Sequence, residues 1–101
     1  MKVRKNNRGE YVEVTLALPR GLHARPSAKL AQLARLFKAN ITLITENGEV
    51  DAKSMLDIMS LAAQCGEKMM ILANGPDAAE ALGSIAAFCM DPRDYYGKTD
   101  S

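Results

Sequence analysis

The sequence contains no tryptophan, one histidine and two cysteines, and only 5% of its residues are aromatic. Cys65 and Cys89 lie far apart in apolar surroundings that read as helical, and they form no CxxC pair, so both are expected to be reduced core thiols. Two such cysteines and one histidine make a poor zinc site. We therefore expect no metal site, and nothing in the residues indicates a cofactor.

Strong charge and long apolar runs are also missing. Thirteen basic and twelve acidic residues give a net charge of +1, which excludes the positive field that attracts nucleic acid. No segment is long enough to cross a membrane, and Met1–Glu10 has no apolar run behind its charges, which excludes a signal peptide. These features predict a cytoplasmic protein that binds no nucleic acid and does not insert into a membrane.

What is present suits one globular domain: 101 residues, 48% hydrophobic and 25% charged. Clean alternation of apolar residues predicts a half-buried strand at the start of this domain. The predicted strands are Tyr11–Leu18, Ile41–Thr45, Glu49–Lys53 and Lys68–Ala73. Asn47-Gly48 is the pair favoured in a two-residue hairpin turn, because both positions need positive φ.

Helical spacing of apolar residues predicts three helices between and after these strands. One follows His23, one covers Ser54–Ala63, and the last begins after the turn Asn74–Asp77. The order βαββαβα predicts an α+β fold in which a four-stranded antiparallel sheet carries three helices on one face. Residues 11–90 form the expected domain, preceded by a charged, solvated extension (1–10) and followed by a flexible tail (91–101).

The first informative segment is Gly21–Pro26, which holds the histidine at the junction of a strand and a helix. Pro26 belongs in the first helical turn, and this puts His23 or Ala24 at the N-cap. The backbone amide of Ala24 and the guanidinium of Arg25 then favour an anion there and a neutral, nucleophilic imidazole. We predict a nucleophile beside an anion site; the alternative is a histidine that only caps the helix.

The second informative segment is Lys53–Leu61. Ser54 and Asp57 resemble a capping box in which Asp replaces the usual Glu or Gln, so the simplest role of Ser54 is to cap the helix.

This helix has more apolar side chains than one buried face requires. Ile58, Leu61 and Ala62 can face the sheet, which leaves three residues that we expect to be exposed: Met55, Leu56 and Met59. Methionine adapts to different surfaces, so these residues favour a docking surface for partner proteins over a helix buried on both sides.

The motifs GLHARP (21–26), KSMLDIMSL (53–61) and QCGEKMMILANGPDAAEAL (64–82) resemble those of the HPr family. This family comprises the histidine phosphocarrier proteins of the bacterial phosphoenolpyruvate:sugar phosphotransferase system. The resemblance extends from about Tyr11 to Phe88. It implies an open-faced β-sandwich and a monomeric phosphoryl carrier rather than an enzyme.

The resemblance also implies a role for each matching residue. His23 would accept a phosphoryl group from phosphorylated enzyme I and pass it to enzyme IIA proteins or domains, with Arg25 and the Ala24 amide stabilising the phosphate. Ser54 matches the serine that a dedicated HPr kinase/phosphorylase modifies in many bacteria. Asp57 stands where family members commonly carry Gly or a basic residue, and its carboxylate would repel a phosphate on Ser54.

Partner docking is implied for a further set of residues. Met55, Leu56 and Met59 match docking positions of the family, while Lys29 and Arg35, on the helix beside the histidine, would meet acidic partner surfaces.

Two other functions fit the same residues. One is the same chemistry in a nitrogen-related branch of the phosphotransferase system. The other is a purely regulatory HPr-like binding module that signals through Ser54. Retention of His23 argues against the second, because a module without phosphoryl transfer does not need the nucleophile.

Overall fold

Five strands and three helices make up residues 2–93, the part of the chain that this computed structural model describes. The strands are β1 (Arg4–Asn6), β2 (Gly9–Thr15), β3 (Asn40–Thr45), β4 (Gly48–Asp51) and β5 (Lys68–Asn74), and the helices are α1 (Ala24–Ala34), α2 (Met55–Ser60) and α3 (Ala78–Cys89). Most of the tail predicted over 91–101 lies outside the described residues.

The strands form one antiparallel sheet in the order β1-β2-β5-β3-β4. Val12 and Leu43 both lie opposite Ile71 in the register, and all three are buried in one core with apolar residues of the helices. This core forms because successive strand residues alternate between the faces, so the apolar residues of each strand meet the helices together. The α+β class, an open antiparallel sheet with three helices, is confirmed.

The sheet has one strand more than the four predicted, because part of the expected solvated extension forms β1. Residues Arg4–Asn6 are exposed and lack apolar alternation, so β1 is held by backbone pairing with β2. Arg8, in the turn between the two strands, also forms a bidentate salt bridge with Glu49 of β4 at 2.9 and 3.2 Å. The N-terminal hairpin (residues 4–15) is therefore part of the fold.

The outer face of the sheet, opposite the helices, is not uniformly polar. Leu72 of β5 lies on this face, opposite Tyr11 and Thr42, and yet it is only 4% exposed. Met70 and Ile44 beside it are partly buried. The centre of the outer face is therefore apolar. Strand β2 borders this centre on one side and pairs with β1 on the other.

The turn between β3 and β4 begins one residue earlier than predicted. Thr45 pairs with Gly48, so the connecting residues are Glu46 and Asn47. Gly48 has a φ of +135°, whereas Asn47 does not adopt positive φ. Asn47 instead donates its backbone N–H to Thr45 Oγ1 and its side-chain amide to the carbonyl of Leu61, at 3.0 and 3.1 Å. The second contact joins the turn to a distant segment. The Asn47-Gly48 pair alone therefore did not predict the position of this turn.

The two cysteines differ in their surroundings. Cys89 of α3 is buried, and burial raises the pKa of its thiol to about 12, so it stays protonated at neutral pH. Cys65 is exposed, and the prediction of a core thiol is wrong for it because it lies in the loop between α2 and β5. Across residues 2–93, no group of His, Cys, Asp and Glu side chains could hold a metal ion, and no helix is both long and apolar enough to span a bilayer.

Candidate functional site

His23 is the N-cap residue of α1. Its backbone is extended, with φ −77° and ψ −172°, and its carbonyl accepts the N–H of Ser27 at 3.0 Å. The imidazole forms no capping hydrogen bond and is partly exposed. The backbone of His23 thus begins the helix while its ring remains available for other contacts, in contrast to the alternative of a purely capping side chain.

The loop that presents His23 is fixed by contacts with the segment after α2. Leu22 donates its N–H to the carbonyl of Ala63 at 3.0 Å and accepts a bond from the buried hydroxyl of Ser27 at 2.9 Å. Gly21 has a φ of +66°, and a Cβ at this position would lie 2.2 Å from the Ala63 oxygen. Only glycine fits this close approach, so the contact fixes the backbone between β2 and α1 at this point.

The first turn of α1 has a positive electrostatic potential. It contains no acidic residue, and a helix of 11 residues directs its first amides and the positive end of its dipole toward the N-cap. Ala24 and Arg25 are exposed there, and Pro26 is buried as the third helical residue, where its missing N–H interrupts no bond. An anion held next to His23 would meet backbone amides and a guanidinium together.

A shallow cavity of about 260 Å³ brings His23 next to the end of α2. Its lining comes from both segments and includes Arg20, His23, Ala24, Met59, Ala62 and Gln64. Arg20 was not predicted as a site residue, although a cation three positions before the histidine was a visible signal. Arg25 does not line this cavity.

Ser54 is the N-cap of α2, and its Oγ accepts the backbone N–H of Asp57 at 3.3 Å. The capping role expected for Ser54 is confirmed. Arg35, the C-cap of α1, donates its Nε to the carbonyl of Lys53 at 3.0 Å. Because it follows His23 by twelve residues, Arg35 lies about 18 Å along the helix from the histidine. Arg35 therefore lies at the Ser54 end of the surface, and its role in partner docking stays a prediction.

Helix α2 is shorter than predicted and exposes fewer apolar residues. It ends at Ser60, and Ala62 has a left-handed φ of +50° and is exposed instead of facing the sheet. Ile58 and Leu61 are buried, as expected.

The residues expected to be exposed on α2 differ among themselves. Leu56 and Met59 are 76% and 37% exposed, while Met55 packs partly against the core. Lys29, in the middle of α1, is exposed. A surface with two apolar side chains therefore extends from the Ser54 end of α2 to the cavity at His23.

Comparison with known proteins identifies the family of this chain. The family PTS-HPr, described as "PTS HPr component phosphorylation site", matches residues 11–91. The chain belongs to the HPr family. HPr of Cupriavidus necator is 40% identical over 75 residues, which cover 74% of this chain and 84% of that protein. The HPr-like protein Crh of Bacillus subtilis is 37% identical over 79 residues, covering 78% of this chain and 93% of Crh.

The fold of this chain is similar to that of a solved HPr structure. The crystal structure of HPr from Bacillus anthracis superposes with a TM-score of 0.76 at 40% identity and covers 78% of this chain and 94% of that chain. HPr proteins are phosphocarriers of the phosphotransferase system. Strand β1 and the turn to β2 precede the range that the family model matches.

Proposed function

We propose that this chain accepts a phosphoryl group on His23 from phosphorylated enzyme I and donates it to enzyme IIA proteins or domains, acting as a monomer. The observation that carries the proposal is the position of His23: N-cap of α1, without a capping bond, next to a positive first turn and an exposed apolar surface. Membership of the HPr family supports the same chemistry.

The proposed transfer needs one nucleophile and stabilisation of charge. The lone pair of an imidazole nitrogen forms a bond to phosphorus while the bond between phosphorus and the donor breaks, and that electron pair returns to the donor. The backbone amide of Ala24 and the guanidinium of Arg25 stabilise the phosphoryl oxygens. Transfer to the acceptor repeats the step in the opposite sense, so the phosphate must be stabilised without being held too tightly.

The test is phosphorylation with enzyme I and phosphoenolpyruvate. We expect an acid-labile phosphate on the wild-type chain and none on His23→Ala, with the circular dichroism spectrum unchanged. Gln32→Ala, an exposed substitution in the same helix, is the matched control and should be phosphorylated as the wild type is. A His23→Ala protein that still takes up acid-labile phosphate would contradict the proposal.

We also propose that Ser54 is a regulatory phosphorylation site for an HPr kinase/phosphorylase. Ser54 is partly exposed. It lies at the start of α2, one residue before Met55 and two before Leu56. A phosphate there would add about −1.5 to −2 charge to the surface that partners approach. Like-charge repulsion by Asp57 opposes this modification.

Ser54→Asp tests the effect of charge at this position. Asp caps a helix as well as Ser does, so the fold should persist while KM for enzyme I rises about two- to fivefold, the size of one exposed charge interaction. Ser54→Ala, which removes the cap without adding charge, should leave KM unchanged and lower stability by about 1 kcal/mol. Equal KM values for Ser54→Asp and wild type would count against the docking role of α2.

A purely regulatory module remains the second candidate. It is favoured by the similarity to Crh of Bacillus subtilis, which a solved structure describes as a catabolite repression protein. Phosphate uptake by His23 separates the two candidates. Comparison of transfer rates to sugar-type and nitrogen-type enzyme IIA proteins then decides between the branches of the phosphotransferase system.

A further inference from the structure

Ser27 lies in α1, four residues after His23, and is fully buried. Its exposed fraction is 0%, and within residues 2–93 it is the only buried residue with a polar side chain. Burying a hydroxyl costs free energy unless the hydroxyl forms a hydrogen bond, and alanine would occupy the same position without that cost. The partner of this hydroxyl therefore indicates what Ser27 contributes to the site.

Ser27 binds the carbonyl groups of the two peptide units that flank the His23 Cα. Its N–H donates to the carbonyl of His23 at 3.0 Å, and its Oγ donates to the carbonyl of Leu22 at 2.9 Å. A regular helical bond could not replace the second contact, because the residue four positions after Leu22 is Pro26, which has no N–H. The hydroxyl of Ser27 therefore supplies the donor that the helix backbone lacks at this point.

These two bonds fix the backbone conformation of His23. One planar peptide unit contains the Leu22 carbonyl and the His23 N–H, and the next contains the His23 carbonyl and the Ala24 N–H. The dihedral angles of His23 describe the rotation of these two units about its Cα. Because Ser27 holds both units, it holds φ at −77° and ψ at −172°.

The same bonds direct two N–H groups away from the core. In a trans peptide unit the N–H points opposite to the carbonyl, and residues 2–93 contain no cis peptide bond. Both carbonyls point to the buried Ser27, so the N–H groups of His23 and Ala24 point away from it. Ala24 is exposed and His23 is partly exposed. A phosphoryl group next to the imidazole would therefore meet an Ala24 N–H that is already oriented.

We propose that Ser27 is a positioning residue for phosphoryl transfer: it holds the backbone of His23 in the conformation in which the imidazole and the Ala24 N–H act on one phosphoryl group. The inference rests on the proposed function and adds the residue that orients its nucleophile. Ser27 is buried and cannot contact a partner protein, so it should affect the transfer step and not partner binding. A less ordered His23 backbone lowers the fraction of molecules with the geometry that transfer needs.

The experiment measures single-turnover transfer from phosphorylated enzyme I of the same organism to wild type and Ser27→Ala, with the chain in excess at increasing concentrations. Alanine is the best helix former and fills most of the space of serine, so the variant should fold. We expect its maximal rate constant to fall about three- to tenfold, the effect of one hydrogen bond, with the half-saturating concentration unchanged. The scalar coupling between the N–H and Hα of His23, which reports φ, should also change.

Ser84→Ala is the matched control. Ser84 is partly buried in α3, outside the contacts that hold His23, and its variant loses the same hydroxyl group. Its rate constant and half-saturating concentration should equal those of the wild type.

Two results for Ser27→Ala overturn this inference alone: a maximal rate constant equal to that of the wild type, or an unchanged His23 coupling. A wild-type chain that takes no phosphate from enzyme I overturns the proposed function and this inference with it.

Discussion

Gly21 positions the histidine without taking part in any chemistry. Its φ of +66° and its close contact with Ala63 turn the chain toward α1, and the bond from Leu22 to the same carbonyl follows directly. Because Ala63 follows α2, this contact couples the loop that holds His23 to α2. The distance between His23 and the exposed Met59 thus depends on a residue with no side chain.

Gly21→Ala should lower both stability and phosphoryl uptake. Alanine with positive φ costs about 1–2 kcal/mol, and its Cβ must also displace the Ala63 carbonyl. Gly66→Ala is the control, since Gly66 has a φ of +92° but nothing within 4 Å of an added Cβ. Urea denaturation should show the larger loss for Gly21→Ala, and only this variant should be phosphorylated more slowly. Equal losses in the two variants would mean that the contact with Ala63 is unimportant.

At the scale of elements, Asp77 connects two helices. It is the N-cap of α3, yet its side chain makes no capping bond. Its carboxylate instead accepts the backbone N–H groups of Lys38 and Ala39, at 2.9 and 2.8 Å, in the connection from α1 to β3. The start of the last helix therefore holds the end of the first one in place.

This contact makes stability depend on pH. The backbone hydrogen bond from Lys38 is the main cause that lowers the pKa of Asp77 in the folded chain, aided by that from Ala39. A carboxyl with a lower pKa in the folded than in the unfolded state stabilises above its unfolded pKa, and this contribution is lost as pH falls through the folded pKa.

Asp77→Asn tests this dependence of stability on pH. The free energy of unfolding is measured by urea denaturation at about pH 7 and about pH 3. The wild type should lose more stability between these pH values than the variant does. Glu80→Gln, which alters an exposed carboxyl of the same helix, should behave as the wild type. Parallel pH profiles for wild type and Asp77→Asn would exclude the role given to this contact.

At the scale of the molecule, the features that local sequence determines could be predicted. The alternation of Val12 and Val14 predicted β2 and its buried face, and Pro26 predicted the position of His23 at the start of α1. Both follow from periodicity or from the backbone of one residue, which do not depend on distant partners.

The features that distant segments determine could not be predicted. The exposed sequence of β1 has no apolar period, and its hairpin contacts β4 through Arg8 and Glu49, which are 41 residues apart. The contact of Gly21 with Ala63 and the end of α2 before Ala62 likewise depend on how separate elements meet. Sequence patterns therefore predicted the position of His23 but not the contacts that hold its loop.

Strand β1 also changes where the chain can be shortened. The family match begins at Tyr11, within β2, so a chain trimmed to that point would keep His23 and its helix but lose β1, the neighbour of β2. The freed strand would offer bare amides and carbonyls, next to the apolar outer face around Leu72, as a template for strands of other molecules. We therefore expect a chain that begins at Tyr11 to self-associate more readily than the full chain.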